Sequence, residues 1–441
     1  MKTKTRLAAV LAASVTFSMA ARADTIEYVD GSNRTWYYTT NSDGENTVTI
    51  GRGGSTDSKN YAVSRDIPVN AADIPWTFTK EGVSYTVTQI SSYAFGANSG
   101  NNNLTGTLTI PDTVTKIGER AFQNCKGLTR LASLGGLTSI ANYAFNSCGN
   151  MVGDISDLTK VTSLGTGPFQ YCNKLTGNVV LCSSLTSIGR FAFRSTAIES
   201  ITVPRSVTTI GDEVFSSTTI PGCLVPGPLS SGTTTIDTKN AFKSNTKLAV
   251  FFAGSNTTGK NVTSNMFLSA GSTCKVFVPN NGKWTGFLTG STAAEVIYYG
   301  AGASVDFAID TDAKQITATP TTAESLANVL SWAALFRDDL GYGTKVAITN
   351  RIETAGTVEI TEAMLQNVTI EAPAWYLTFQ VASQEQLDNV LAAVPVNIPI
   401  IVELTALNQP ITVPDGREVA ILAKSNMTFD KKRVGLVISF H

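Results

Sequence analysis

The chain has 441 residues, of which 15% are charged, with 33 basic side chains against 34 acidic ones and a single histidine. That length suits two or three domains and a large buried core. The near-neutral balance excludes the basic footprint of a nucleic-acid or anionic-membrane binder, and the position of the one histidine, His441, excludes histidine-based nucleophiles and metal sites from all but the tail.

The segment from Met1 to Ala23 reads as a secretory signal. Lys2, Lys4 and Arg6 make a basic start, Leu7 to Ala20 is an apolar run, and "ARA" from Ala21 to Ala23 supplies small residues before a cut at Asp24. The run is too short for a membrane span, which needs about 20 residues. Cleavage removes four basic residues and leaves 29 against 34 acidic ones, a net charge near −5. Secretion to the outside or to the cell surface is therefore expected, with no stable membrane insertion after cleavage and no nucleic-acid partner. From Arg34 to Gly51, "RTWYYTTNSDGENTVTIG" alternates Thr, Val, Tyr and Ile and suits a hairpin able to cover the open end of a sheet.

A repeat follows. Phe95, Phe122, Phe145, Phe169, Phe193, Phe215, Phe242 and Phe267 recur at nearly constant intervals, roughly two dozen positions each. Five positions before the first six stand Ile90, Ile117, Ile140, Leu164, Ile188 and Ile210, and three before those Val87, Val114, Leu137, Val161, Leu185 and Val207. The unit is V/L-T-x-I-x-x-x-x-F, with Thr in all six copies; copies seven and eight depart from it. A fixed period of this length means a solenoid, because one unit cannot bury its own apolar residues but stacked units can. The Phe ladder is expected to be the spine of the core.

These units, best seen in "LTIPDTVTKIGERAFQNCKGLTRL" from Leu108 to Leu131 and "ITVPRSVTTIGDEVF" from Ile201 to Phe215, resemble the BspA-like class of leucine-rich repeats found in bacterial surface proteins. The resemblance runs from about Val83 to Phe287; "VFVPNNGKWTGF", Val276 to Phe287, looks like the last coil of that class, and the segment from Arg34 to Gly51 like its N-terminal cap. It implies a mostly β fold: a cap over residues 24–82 and a leucine-rich-repeat solenoid over 83–300. It also implies a non-catalytic adhesion or recognition protein whose partner is an extracellular protein or glycan.

After residue 300 the unit stops, and a different duplication appears: "ESLANVL", Glu324 to Leu330, returns as "EQLDNVL", Glu385 to Leu391. Strand-like runs follow each: "KVAIT", "TVEIT" and "NVTIEA", then "IIVEL", "ITVPD" and "EVAILAK". Leucines and valine at that spacing share one helical face. Residues 301–441 are thus two helix-then-strands units, either a small α+β domain or a short β-helix-like one that resembles the opening of a pectate-lyase-like chain. That second resemblance supplies the competing function, a polysaccharide-degrading enzyme or its accessory module.

Catalytic chemistry has little to build on. No phosphate-binding G-x-x-x-x-G-K-[ST] loop occurs. Glycosidase chemistry needs two acids at a set separation, whereas Asp310 and Asp312, and the adjacent Asp338 and Asp339, sit in turn-like sequence and read as solvated turn residues. Cys125, Cys148 and Cys172 each follow their Phe by three and are expected to form a buried thiol ladder, since parallel side chains in adjacent coils hold Cβ atoms too far apart for a disulfide. Three thiolates on one line do not make a zinc tetrahedron. No catalytic, cofactor or metal residue is assigned. The remaining candidate is the strand I-x-V-P, whose central residue points away from the core. In chain order it reads Thr109, Val180, Thr202, Leu224 and Phe277, a stripe growing more apolar toward the C-terminus. Such a stripe is either a binding strip or a row of β-formers chosen for the pleat.

Overall fold

The repeated Thr explains how one coil meets the next. Thr138, Thr162 and Thr208 donate both backbone N–H and side-chain Oγ1 to the carbonyl of the Thr one coil earlier, with Oγ1 distances of 3.1, 3.2 and 3.1 Å. Each therefore satisfies a carbonyl that a short strand would otherwise leave underused. The computed structural model describes residues 25–423 apart from 44, 53–60, 64–67, 97–103, 230, 263, 268–273, 286–293, 323–324, 326–327, 330, 333–334, 341–344, 351–376, 395–399 and 405–418. The expected leader, "TVEIT", "NVTIEA", "ITVPD" and His441 lie outside the described residues.

The first sheet begins in the cap. Strands Thr25–Val29, Thr35–Thr40 and Thr47–Ile50 form an antiparallel meander, and Thr47–Ile50 then pairs in parallel with Val83–Ile90. Trp36 and Tyr38 are fully buried, with the Tyr38 ring stacked on Phe78 and its hydroxyl donating to Pro75 O at 3.0 Å. Asp30 fixes the cap's first turn: its carboxylate accepts from Ser32 N, Arg34 N, Arg34 Nε and Trp36 Nε1 at 2.7–3.0 Å. Burial opposes the charge, but the Trp36 and Arg34 donors outweigh it and hold Asp30 down at about 2.

Val83–Ile90 carries the register into the repeat. Ile90, Ile117, Ile140 and Leu164 pair in sequence through two-residue parallel strands, and the ladder resumes as Ile188, Ile210 and Ile236. The phenylalanines stack nearly parallel beside it. Ring centroids are 5.1 Å apart for Phe95–Phe122 and Phe122–Phe145, and 5.8, 6.0, 6.1, 5.5 and 5.9 Å onward to Phe267. Copies seven and eight thus keep the ladder although they depart from the sequence unit. From Phe122 to Phe242 the chain turns around each Phe through two left-handed residues, two before and two after it, as at Arg120 and Asn124 (φ 53° and 60°). This aims the N–H groups of Phe122 and both of those residues at the next coil, with N···O distances of 2.7–2.9 Å.

A second parallel sheet completes the later coils: Asp157–Leu158, Asn178–Leu181, Ser200–Thr202, Gly222–Val225, Val250–Ala253, Cys274–Pro279 and Ala294–Tyr299. The earlier coils use a separate three-stranded sheet ending in Leu104–Thr109 and Gly127–Ser133.

Beyond it, an antiparallel hairpin, Val305–Asp310 with Gln315–Pro320, opens a six-stranded sheet. Its further strands, Lys345–Asn350, Leu377–Val381, Ile400–Leu404 and Val419–Ala423, all run parallel. The duplication is visible at its helix starts. Thr322 Oγ1 accepts from Ser325 N at 3.1 Å, and in the second copy Ser383 Oγ accepts from Gln386 N at 3.2 Å as the N-cap of Gln384–Ala393. Helix Gln384–Ala393 buries Leu387, Val390 and Leu391, the face expected from the spacing. The chain is mostly β, and no helix among the described residues is long and apolar enough to cross a membrane.

Phe145 is fully buried inside the ladder, whereas Phe95 heads it and keeps 7% exposure. In denaturant melts Phe145→Ala should cost about 3–5 kcal/mol and Phe95→Ala clearly less, because a central coil loses packing on two sides. Equal losses would contradict nearest-neighbour stacking.

Candidate binding face

The outward stripe exists as a register line. Val180 pairs with Thr202, Thr202 with Leu224, Leu224 with Phe252, and Phe252 with Phe277. Thr109 is exposed but lies in the earlier, separate sheet, opposite Ser133. Phe252 was not among the sequence candidates, since its coil replaces I-x-V-P with "VFFA"; the doubled Phe, one ring for each face, is the signal that could have revealed it.

The structure corrects half of this stripe. Leu224 and Phe277 are 4% and 0% exposed, and Phe252 is 0%. They point away from the solenoid core but are covered by the chain's own later residues. Phe252 meets Phe307 and Phe336 edge-on at 5.3 and 5.7 Å, and Phe277 meets Phe307, Trp332 and Phe336 at 5.6, 5.0 and 5.1 Å. The physical reason is the hydrophobic effect: an aromatic strip this large is buried rather than left in water. Close approach is built in at Gly222, where a Cβ would stand 2.2 Å from Asp339 O. Neither Leu224 nor Phe277 is open to a ligand.

Val180, at 41% exposure, and Thr202 remain open, and Asp157 extends their line by pairing with Val180. Where this open half meets the covered half there is a cleft of about 560 Å³, lined by Thr202, Arg205, Ser183, Leu229 and the 309–312 turn among others. Arg205 builds the junction. Its Nη1 donates to Gly227 O at 3.0 Å, its Nε to Thr311 Oγ1 at 3.2 Å, and its Nη2 to Ile309 O. Asp310 accepts from Asp312 N and Ala313 N at 2.9 Å each, so one of its oxygens serves its own turn, as its sequence suggests.

All six cysteines are buried thiols outside any disulfide. Cys148 Sγ donates to Phe122 O at 3.1 Å, and Cys172 Sγ to Phe145 O at 3.0 Å. In later coils the same position holds Thr196 and Thr218, whose hydroxyls donate to Phe193 O and Phe215 O at 2.7 and 2.8 Å. The position takes a small buried donor, but the thiols reach the Phe carbonyl one coil earlier, whereas the hydroxyls turn back to the Phe of their own coil. Burial alone pushes the Cys223 thiol up to about 12, and Cys274 reaches the same value against one backbone hydrogen bond. Cys182 moves the other way, because Ser184 hydrogen-bonds to its sulfur.

Residues 88–221 match the family model described as "BspA type Leucine rich repeat region" in six copies, the span of the six V/L-T-x-I-x-x-x-x-F units. Two solved structures are similar. One is a leucine rich cell surface protein from Faecalibacterium prausnitzii A2-165: 20% identity, TM-score 0.32, covering 63% of this chain and 96% of that one. The other is a leucine-rich repeat protein from Bacteroides ovatus ATCC 8483: 17% identity, TM-score 0.29, covering 83% and 97%. No curated protein matches the chain.

Two outcomes follow. Phe277→Ala should cost about 3–5 kcal/mol and hasten protease cleavage near Gly300 to Ser304, while Val180→Ala leaves both unchanged within about 0.5 kcal/mol. A Phe277 variant that melts and digests like the parent would show the two faces are not packed. The folded state keeps the Cys223 and Cys274 protons, so their contribution is full below about pH 8.5, where unfolded thiols stay neutral, and is lost as pH rises toward about 12. The urea midpoint should fall between pH 7 and 10, less steeply in a Cys223→Ala/Cys274→Ala variant; identical slopes would exclude these thiols as the cause.

Proposed function

We propose that this chain, whose residues 88–221 are a leucine-rich repeat region of the BspA type, is a secreted or surface-displayed binding protein. It engages an extracellular protein or glycan through the open half of its second sheet and has no catalytic role. One observation carries this reading: the line Asp157, Val180, Thr202 stays exposed and runs into a cleft, while its continuation is sealed by the chain's own aromatic residues. A face sealed at one end and open at the other directs a partner to one place. Its side chains are short and mostly uncharged, so recognition there depends on shape and hydrogen bonds, and the partner must approach the backbone closely. The leader ending at Ala23 is the proposed route out of the cytoplasm. The Asp310 turn supports the non-catalytic reading, because one carboxylate oxygen is already engaged by its own backbone.

The mature chain should bind one or more ligands on a combined protein and glycan array. Val180→Glu with Thr202→Glu should weaken that binding at least tenfold, since two charges enter a desolvated contact, with an unchanged melting temperature. Unaltered binding would remove this face as the site. Release of reducing sugar from a polysaccharide panel would replace binding by hydrolysis as the function.

A further inference from the structure

Charge is scarce in this chain and unevenly spread. Between Thr238 and Ala294 stand six lysines, no arginine and no acid, although the whole chain carries 33 basic residues against 34 acidic ones. This stretch makes the last coils of the solenoid.

The register shows why these cations stay open. In the coil of Phe193, Arg190 stands three before the ring and Arg194 one after it. The next coil answers both: Arg190 pairs with Asp212, and Arg194 with Glu213 at 2.7 Å. Two coils after Phe193, the same two positions around Phe242 hold Lys239 and Lys243. Phe242 N donates to Met266 O at 3.0 Å, so the answering coil is that of Phe267. Where the coil of Phe215 has Asp212 and Glu213, that coil has Ser264 and Asn265, both neutral. No described carboxylate forms an ion pair with Lys239, Lys243, Lys247, Lys260 or Lys283; Lys275 alone of the six is paired, with Glu295. Asp237, the acid that borders the stretch, is engaged by Lys239 N at 3.1 Å and by Asn261 Nδ2 at 3.0 and 3.1 Å.

Stacking gathers the open cations. Asp237 pairs in register with Lys260, and Thr238 N donates to Lys260 O at 2.9 Å. Lys239 and Lys260 therefore belong to adjacent coils, roughly one strand spacing of 4.8 Å apart. Asn281 Nδ2 and Trp284 Nε1 both donate to Thr257 O, at 3.0 and 3.4 Å, which seats Lys283 one coil beyond strand Thr257–Lys260. Lys239, Lys247, Lys260 and Lys283 are exposed and Lys243 is half-buried. Exposed Ser244, Thr246 and Ser255 stand in the same coils. The described rings of the stretch, among them Phe242, Phe267 and Trp284, are buried, and none of its described large apolar side chains is exposed.

We infer that this end of the solenoid is a second binding surface, separate from the open half of the second sheet, and that it takes an acidic polysaccharide. Unpaired cations gathered in an otherwise acidic chain concentrate positive potential at one place. A lysine ammonium is a compact point charge on a mobile stem, which suits carboxylates or sulfates spaced along a sugar chain; the fork that grips phosphate in two places belongs to arginine. Buried rings leave no platform on which a nucleobase can stack. No exposed apolar side chain is there to anchor in a bilayer. The neighbouring hydroxyls suit those of the sugar.

Retention of the mature chain on immobilised heparin, chondroitin sulfate, alginate and polygalacturonate tests this, the first two offering sulfates and the last two only carboxylates. Binding to one or more is expected, weakening about tenfold or more between about 0.05 M and about 0.3 M NaCl. Lys239→Gln/Lys243→Gln/Lys260→Gln/Lys283→Gln should lower affinity about tenfold or more at an unchanged melting temperature, since exposed side chains contribute within about 0.5 kcal/mol each. Arginine at the same four positions should keep the binding, and Lys126→Gln/Lys160→Gln/Lys174→Gln, in earlier coils, should leave it at the parental level. In the unaltered chain the bound polymer should slow acetylation of Lys239, Lys260 and Lys283 relative to Lys126, a readout independent of any variant's folding. The inference is overturned by no retention on any of the four polymers, by equal binding of the four-glutamine variant, by an equal loss in the earlier-coil variant, by unslowed acetylation, or by tighter binding to duplex DNA or to phosphatidylglycerol vesicles than to every acidic polysaccharide.

Discussion

Hydrogen bonding between successive coils, held in register through the turn that carries Phe, is the constraint on which the rest of the molecule depends. The N–H groups of Tyr143, Phe145 and Ser147 all point to the next coil, and left-handed φ at Tyr143 and Ser147 makes that possible. Once the turn is set, the Phe ring falls on the ring before it, and the residue three later falls under a Phe carbonyl. Three features that look separate in sequence, the Phe period, the cysteines and the repeated Thr, are consequences of one stacking geometry. Each supplies a ring, a donor or a second donor that every coil must offer its neighbour.

Residues that invite a chemical reading serve that geometry instead. The thiols of Cys148 and Cys172 tie their coils to the Phe carbonyl one coil earlier, and the hydroxyls of Thr196 and Thr218 close their own turns. Asp30 and Asp310 hold turns by accepting backbone N–H groups. Arg205 directs its donors to two carbonyls and a hydroxyl and thereby ties the hairpin after residue 305 to the solenoid. In a chain with few charges, each of these fixes a turn or a junction.

The second sheet changes character along its length, and the change has a cause. Its outward line runs Asp157, Val180, Thr202 where it faces solvent and Leu224, Phe252, Phe277 where it is covered. The apolar half is matched by Phe307, Trp332 and Phe336, so the later residues are seated by the same hydrophobic logic that stacks the coils. What stays open to solvent is the polar half and the cleft beside it. The rings of Tyr93, Tyr143 and Phe191 occupy another part of the coil, set by the turn rather than by the sheet.

The sequence by itself determined the solenoid, its Phe spine, the ladder of thiols and the outward line of Val180, Thr202, Leu224 and Phe277, because each is a periodic demand that every coil writes again. The duplicated helix starts after residue 300 were legible for the same reason. Only the tertiary structure decided which part of the outward line is free. Leu224 and Phe277 look like an exposed strip until Phe307, Trp332 and Phe336 are placed over them, and contacts between residues so far apart in the chain leave no period to read. Phe252 escaped notice because its coil drops the proline pattern while keeping the register. The left-handed backbone at Tyr93, Tyr143 and Phe191 escaped it too, since these are unremarkable sequence positions on which only the stacked turn imposes it.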